Sequence, residues 1–146
     1  MWTHQLEHQP QIRIVMTPFP YWIDAHATLT DANIMMRDHN VRHLPVMDGD
    51  QIVGVVSERD IMRALASGDS LAMLRPVCTT CRTKPYVVES HELLSKVLSE
   101  MAASGVGSVL ITKEGRLAGI FTTTDACKRF AELIDSLFKD TPPHPA

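Results

Sequence analysis

One short pattern occurs twice in this chain of 146 residues, and its spacing limits the folds that the chain can adopt. The first copy reads GVVSERD at residues 54–60, and the second reads GIFTTTD at residues 119–125. A shift of 65 residues superposes the copies, and the match continues upstream without a gap to Pro20 on Pro85. Such an internal repeat predicts one supersecondary unit used twice, with each copy burying the apolar face of the other.

Both units carry the same order of expected elements: strand, helix, strand, strand, helix. Apolar residues recur at helical spacing in the expected helices, and Asp-Gly and Glu-Gly turns join the hairpin strands. The sequence therefore predicts an α/β (α+β) fold with two pseudo-symmetric β-α-β-β-α lobes packed as one module. The first unit has a strand at 21–23, a helix from 28 to 39, a hairpin over 43–56 and a helix from 57 to 68; the second has a strand at 86–88, a helix at 93–103, a hairpin over 108–121 and a helix at 123–138.

Composition excludes several classes of protein. An apolar content of 45% with 21% charged residues is ordinary for a globular chain, and the formal charge of −3 argues against a nucleic-acid partner, which needs a basic surface. No apolar run approaches the roughly 18–20 residues that span a bilayer, and the polar N-terminus lacks the apolar segment of a signal peptide. We therefore expect a cytoplasmic protein with no membrane or nucleic-acid partner.

Three cysteines do not form a disulfide framework. Cys78 and Cys81 make a lone CxxC motif among prolines and threonines, without a second ligand pair at zinc-site spacing. We expect two reduced, incidental thiols and no metal site, although a thiol or metal sensor remains an alternative. Cys127 falls on the apolar side of the last expected helix and is predicted to be buried.

The repeated motif has two interpretations. A Ser or Thr followed three residues later by an acidic residue is the sequence signature of a capping box, which satisfies free N–H groups at a helix start. A helix start after an apolar strand is also a phosphate site, where a hydroxyl and a carboxylate one turn later bind phosphate and ribose. The glycine that opens each motif would give such a ligand access to the backbone.

These residues resemble the cystathionine-β-synthase (CBS) domain, and the chain is similar to a tandem pair of them, often called a Bateman module. The resemblance covers residues 15 to 138, and its markers are MTP at 16–18, HLPV at 43–46, the Asp48-Gly49 hairpin and the two repeated motifs. It implies two lobes that bind adenosine-containing ligands in clefts between them, and no catalytic activity. Neither an enzyme nor a required cofactor is expected.

The resemblance also implies ligand-binding residues, grouped in two clefts. One cleft would place Asp125 on ribose and Thr122 on phosphate, and the other would use Asp60 and Ser57. Trp22 would give the first cleft a flat wall for adenine, which favours that cleft. The remaining implied residues are Thr17 and Ile23 in the first cleft, Val87 and Val88 in the second, the basic pair Arg42 and His43 with its counterpart Ser108, and the second phosphate contacts Arg59 and Thr124.

The segment before the second unit departs from the family pattern. It reads CTTCRTKP at residues 78–85 in place of Met-Thr-Pro, and we expect it to be three residues longer than its counterpart. The predicted organisation is an N-terminal extension (1–14), CBS domain 1 (15–68), a linker (69–76), CBS domain 2 (77–138) and a disordered tail (139–146).

The expected function is that of a stand-alone sensor. Its ligand would be AMP, ADP or ATP, with NAD and S-adenosylmethionine as further candidates, and its output would pass through a homodimer or an unidentified effector protein. The apolar stripe on the last helix is one candidate dimer surface, and it consists of Phe130, Leu133, Ile134 and Leu137. A structural or interaction dimer that binds no nucleotide remains the alternative.

Overall fold

A computed structural model describes residues 8–139, and the first seven residues and the expected tail beyond residue 139 lie outside the described residues. The two β-α-β-β-α lobes predicted from the repeat are confirmed. Each lobe is preceded by additional short elements, including 3-10 helices at Ile12–Ile14 and Val77–Thr79. The helices are α1 (Leu29–His39), α2 (Glu58–Ala66), α3 (Leu94–Ser104) and α4 (Thr123–Leu137); the strands are β1 (Thr17–Pro18), β2 (Ile23–Asp24), β3 (His43–Asp48), β4 (Gln51–Ser57), β5 (Val87–Glu89), β6 (Ser108–Lys113) and β7 (Arg116–Thr122).

The first helix of each lobe ends at a residue in the left-handed backbone conformation. Asn40 follows α1 with φ 52°, and Gly105 follows α3 with φ 70°. Both residue types enter this backbone region more readily than others, so the chain leaves the helix at once and turns toward the next strand. The two stops lie 65 residues apart, which is the offset of the sequence repeat.

Each lobe is built on a small sheet around its hairpin. In the first lobe β2 runs parallel to β3, and β3 pairs antiparallel with β4. In the second lobe β5 and β6 are parallel and β6 and β7 antiparallel, and β1 adds to the free edge of β7. The second sheet therefore has the order β1-β7-β6-β5, and its edge strand comes from the start of the chain.

The segments that lead into the two units, residues 10–18 and 75–83, are exchanged between the lobes. Thr17 pairs with Ile120 in the second lobe, and Arg82, 65 residues after Thr17, pairs with Val55 in the first. Because the same offset relates both pairs, the two leading segments have the same length. The expectation that the second would be three residues longer was wrong, since the lack of sequence identity in this segment concealed the register.

The exchange extends into the two hydrophobic cores. Ile12 is fully buried in the core of the second lobe, where its N–H donates to the carbonyl oxygen of Glu92 at 2.8 Å. Val77, its counterpart, is fully buried in the core of the first lobe and donates to the Ala27 carbonyl at 2.8 Å. Each lobe thus completes its core with chain that precedes the other unit.

Two local expectations were wrong. The first strand begins at Ile23 and not at Tyr21, because β2 pairs with β3 only from Ile23 onward, and Trp22 is 51% exposed. Cys127 is exposed and not buried. The reason is that α4 lies on the surface of the second lobe and has no buried residue.

Candidate functional site

The first repeated motif ends β4 and begins α2 with a capping box. The Ser57 hydroxyl accepts a hydrogen bond from the Asp60 N–H at 3.3 Å. Asp60 Oδ2 in turn accepts from the Ser57 N–H at 2.8 Å and from the Ser57 hydroxyl at 3.0 Å. Asp60 Oδ1 is left 3.8 Å from a guanidinium nitrogen of Arg63, outside hydrogen-bond range.

The second motif forms the same arrangement at the start of α4. Asp125 Oδ2 accepts from the N–H and from the hydroxyl of Thr122, both at 2.9 Å. A third capping box, Thr28 with Asp31, begins α1 and belongs to neither motif. Capping geometry therefore does not by itself identify a ligand site, and the space in front of each helix start must be considered.

A cleft of about 820 Å³ opens between the lobes in front of the start of α2. It falls within the roughly 300–1,000 Å³ of small-molecule sites. The first lobe contributes the α2 start and the beginning of β3, and the second lobe contributes Tyr86 and residues 105–108. The other lining residues are Arg42, His43, Val55, Ser57, Glu58, Arg59, Asp60, Met62, Arg63, Arg82 and Thr123.

This cleft, called the arginine cleft below, is positively charged although the chain is acidic. Four arginines line it against the carboxylates of Glu58 and Asp60. Arg42 lies 3.6 Å from Glu58, and Arg63 lies 3.8 Å from Asp60. Arg59 and Arg82 have no ion-pair partner among residues 8–139, so two guanidinium groups are free to bind an anion.

His43 lies half-buried in the same cleft, at the start of β3. Burial lowers the pKa of His43 from its ordinary value, since the interior disfavours the charged imidazolium. The carboxylates of Asp60 and Asp125 oppose this effect on the pKa, and the guanidinium groups of Arg42 and Arg59 add to it. The imidazole is therefore neutral at pH 7 in the empty cleft.

The space beside the second motif is much smaller. A groove of about 140 Å³ contains Thr17 and Asp125, and its other walls are Val15 and charged side chains of α4. Thr122 and Thr124 lie at the α4 start beside it. The side chain of Ile23 is 3% exposed and packs in the core of the first lobe, so it lines neither space.

The structure thus brings together part of the expected site. Arg42, His43, Ser57, Arg59, Asp60 and Ser108 all line the arginine cleft. Trp22, Val87 and Val88 line neither space, and Val88 packs against the core of the second lobe. The sequence favoured the cleft at Asp125 and Trp22, whereas the larger cleft lies at Asp60.

Sequence reasoning missed several lining residues, of which Arg82 and Tyr86 are the most informative. Arg82 is the repeat counterpart of Thr17, and Tyr86 is the counterpart of Tyr21. Extending the 65-residue offset upstream of Pro85 would have found Arg82. The two positions carry different residues, an arginine and a threonine, so a comparison of the two repeats by residue identity does not show that they are equivalent.

The thiols of the CxxC motif do not line the arginine cleft. Cys81 is 8% exposed, and its thiol lies 3.8 Å from the Cys78 carbonyl oxygen. Burial and, to a smaller extent, the neighbouring Cys78 raise the pKa of the Cys81 thiol, which disfavours the thiolate that metal binding needs. No three His, Cys, Asp or Glu side chains within residues 8–139 are grouped to hold a metal ion.

Comparison with known proteins identifies relatives over most of the chain. The family model of the CBS domain matches residues 12–67 and again residues 77–132. Hypoxic response protein 1 of Mycobacterium tuberculosis is 32% identical over 116 residues, covering 75% of this chain and 78% of that protein.

No helix within residues 8–139 has the length and apolarity needed to cross a membrane.

Solved structures share the two-lobed fold. A crystal structure of Hypoxic Response Protein I with two coordinated zinc ions has a TM-score of 0.70 at 28% identity, covering 82% of this chain and 98% of that one. The CBS domain pair of protein MJ0100, in complex with 5′-methylthioadenosine and S-adenosyl-L-methionine, has a TM-score of 0.78 at 20% identity, covering 86% and 99%. At that identity the likeness concerns the fold alone. With both repeats matched by one family model and folded as two lobes, this chain belongs to the CBS domain family and is a tandem CBS pair.

Proposed function

We propose that this CBS pair is a regulatory module that binds a phosphate-bearing adenosine ligand in the arginine cleft. The observation that carries the proposal is the meeting, in one cleft of about 820 Å³, of four arginines with the Ser57–Asp60 helix start. A helix start offers free N–H groups and a favourable dipole to phosphate. Guanidinium groups add paired, charge-assisted hydrogen bonds.

The carboxylate of Asp60 suits the sugar of such a ligand. Its Oδ2 is held by the capping box, which fixes the orientation of the group. Its Oδ1 lies 3.8 Å from Arg63 and remains able to accept a hydrogen bond from a ribose hydroxyl. Tyr86, across the cleft, offers an aromatic ring to the base.

The positive charge of the arginine cleft allows the candidate ligands to be ranked. The MJ0100 pair binds 5′-methylthioadenosine and S-adenosyl-L-methionine, which makes the adenosyl group a reasonable common element. The sulfonium of S-adenosylmethionine is cationic and meets a cleft with four arginines and two carboxylates. AMP, ADP and ATP therefore rank first, and NAD ranks next because its diphosphate bridge is also anionic.

The output of binding would be conformational and not chemical. A ligand held by both lobes favours the lobe arrangement that fits it, and thereby shifts the population of states that a partner recognises. The exposed stripe of α4 is the surface through which a homodimer or an effector protein would receive the change. We infer a regulatory, non-catalytic protein that acts in the cytoplasm.

The test compares two aspartates that cap helices in the same way. Asp60→Ala removes a cap and the expected ribose contact, whereas Asp31→Ala removes a cap on α1, and Asp31 lines neither cleft. Both variants should lose about 1 kcal/mol of stability. Only Asp60→Ala should also weaken AMP binding, by roughly 10- to 150-fold, since a hydrogen bond to a charged group contributes about 1.5–3 kcal/mol.

Calorimetric titration with AMP, ADP and ATP gives the affinities, and melting curves give the stabilities. Equal affinity of the wild type and Asp60→Ala would remove Asp60 from the site. Absence of heat and of a melting shift with all three nucleotides and NAD would favour the interaction dimer without a ligand. Stoichiometric zinc in the purified protein, lost in a Cys78→Ser, Cys81→Ser double variant, would favour the metal sensor.

A further inference from the structure

The backbone holds one histidine at the junction of both lobes. The Glu58 N–H donates to the Arg42 carbonyl at 2.9 Å, which places the start of α2 beside the start of β3. The Thr123 N–H donates to the Gly107 carbonyl at 3.1 Å, which places the start of α4 beside the start of β6 in the same way. His43, the first residue of β3, thus lies beside the start of α2, where it pairs with Ser57.

The second lobe leaves room for this imidazole. A Cβ atom on Gly107 would lie 3.3 Å from His43 Nε2, so the ring packs directly against the glycine backbone. By the repeat offset, Gly107 is the counterpart of Arg42, and Ser108 is the counterpart of His43. The second lobe therefore places small, uncharged residues where the first places basic ones, and a single imidazole occupies the junction.

Charged groups of both lobes surround this ring. Arg42 directly precedes it in the chain, Arg59 and Asp60 act on it from α2, and Asp125 acts on it from α4. Residues 107 and 108 of the second lobe carry no charge. Two carboxylates favour a proton on the ring, and burial and two guanidinium groups disfavour it. Burial is the largest of these effects, so the pKa of the empty protein is lowered, and negative charge brought into the cleft by a ligand acts in the opposite direction.

We propose that His43 takes up a proton when a phosphate-bearing ligand enters the arginine cleft, so that ligand and proton bind together and affinity rises as the pH falls. This inference rests on the proposed function of the cleft. His43 then acts as a sensing group that favours ligands with more negative charge near the junction. The same proton reports cleft occupancy to the start of α4 through the Asp125 carboxylate.

The signs of the two pH effects are opposite. In the empty protein burial lowers the pKa of His43, so the unfolded chain binds more protons; this contribution to stability is present above about pH 6.5 and is lost as the pH falls through the lowered pKa. Ligand affinity changes in the other direction, by up to about tenfold per pH unit for one proton taken up. A merely structural histidine would show the first trend without the second.

The experiment measures protons directly. AMP is titrated by calorimetry at mildly acidic pH in buffers of different ionisation enthalpy, against the wild type, His43→Gln and His39→Gln. His39 is exposed and stacks on Tyr21 with ring centroids 3.8 Å apart, away from the cleft, and serves as the matched control. The phosphate of free AMP also titrates in this range, at about pH 6, and this contribution is the same for all three proteins. We expect up to about one more proton taken up by the wild type and His39→Gln than by His43→Gln.

The outcomes separate the two proposals. AMP binding with the same proton uptake in the wild type and His43→Gln overturns the role of His43 and leaves the cleft as an AMP site. No binding of AMP, ADP, ATP or NAD to the wild type overturns both. If His43→Gln does not fold or does not bind, NMR titration of the His43 ring in the wild type decides: we expect a higher pKa with AMP than without, and an unchanged pKa overturns the inference.

Discussion

Each repeated motif opens with a glycine because a larger side chain would not fit there, and not because the backbone conformation requires glycine. A Cβ atom on Gly54 would lie 2.5 Å from the Arg82 carbonyl oxygen and 2.7 Å from the thiol of Cys81. A Cβ atom on Gly119 would overlap the thioether of Met16. In both lobes the glycine thus accommodates the exchanged leading segment. Sequence reasoning had assigned it to ligand access, because the exchange is invisible in the chain order.

Replacing the two glycines should have unequal effects. Gly54→Ala meets a backbone carbonyl that is held in a β-bridge, and we expect a loss of about 1–3 kcal/mol of stability. Gly119→Ala meets mainly the flexible side chain of Met16 and should lose less. Urea unfolding of both variants measures the difference. A larger loss for Gly119→Ala would contradict the backbone clash at Gly54.

At the scale of elements, α4 differs from its counterpart α2. Ile61 anchors α2 in the core of the first lobe, whereas α4 has no buried residue. Phe130 is 63% exposed, Ile134 and Leu137 are exposed on the same helix, and Phe138, directly after it, is exposed too. An uncovered apolar stripe of this size is typical of an interface, so the homodimer expected from the sequence remains our prediction.

Phe130→Glu should dissociate that dimer without unfolding the chain, because the exposed side chain of Phe130 contributes little to the hydrophobic core. We expect the wild type to scatter light as twice the 16.3 kDa chain mass and the variant as a single chain, with unchanged circular dichroism. Ser136→Glu, exposed on the same helix, is the control and should remain dimeric. A wild-type protein at 16.3 kDa throughout micromolar concentrations would argue against the α4 interface.

At the scale of the whole molecule, the two lobes are not independent units. The leading segments place Ile12 in the core of the second lobe and Val77 in the core of the first. Loss of either segment therefore removes buried apolar surface from the lobe that is distant in sequence. This mutual dependence predicts one cooperative unfolding transition, in which the arginine cleft forms only when both lobes are folded.

A matched pair in the first 3-10 helix tests this coupling. Ile12 is fully buried and Ile14 is 44% exposed. Ile12→Ala should lose about 2–5 kcal/mol of stability, as for other large-to-small core substitutions. Ile14→Ala should change it by no more than about 0.5 kcal/mol. Amide exchange in β6 and β7 should accelerate only in Ile12→Ala; faster exchange confined to the first lobe would show that the segment is not exchanged.

The sequence by itself determined the repeat, the order of elements and the positions of the caps. These features depend on residues close together in the chain, such as Asn40 at a helix stop or Ser57 and Asp60 in one turn. Helix caps and the periodicity of apolar side chains can therefore be recognised directly in the sequence. The same local rules predicted Ser57 and Asp60 as site residues, and the family resemblance added Arg42 and His43.

Only the tertiary structure decided which cleft is large and what lines it. Arg82 reaches the first lobe because its backbone pairs with Val55 across the exchanged segments, and His43 packs against Gly107 of the second lobe. These contacts join residues 27 and 64 positions apart, and no local pattern encodes them. Packing of the two lobes likewise buries Ile23 and leaves α4 uncovered, because burial depends on how distant segments meet and not on the sequence pattern of either one.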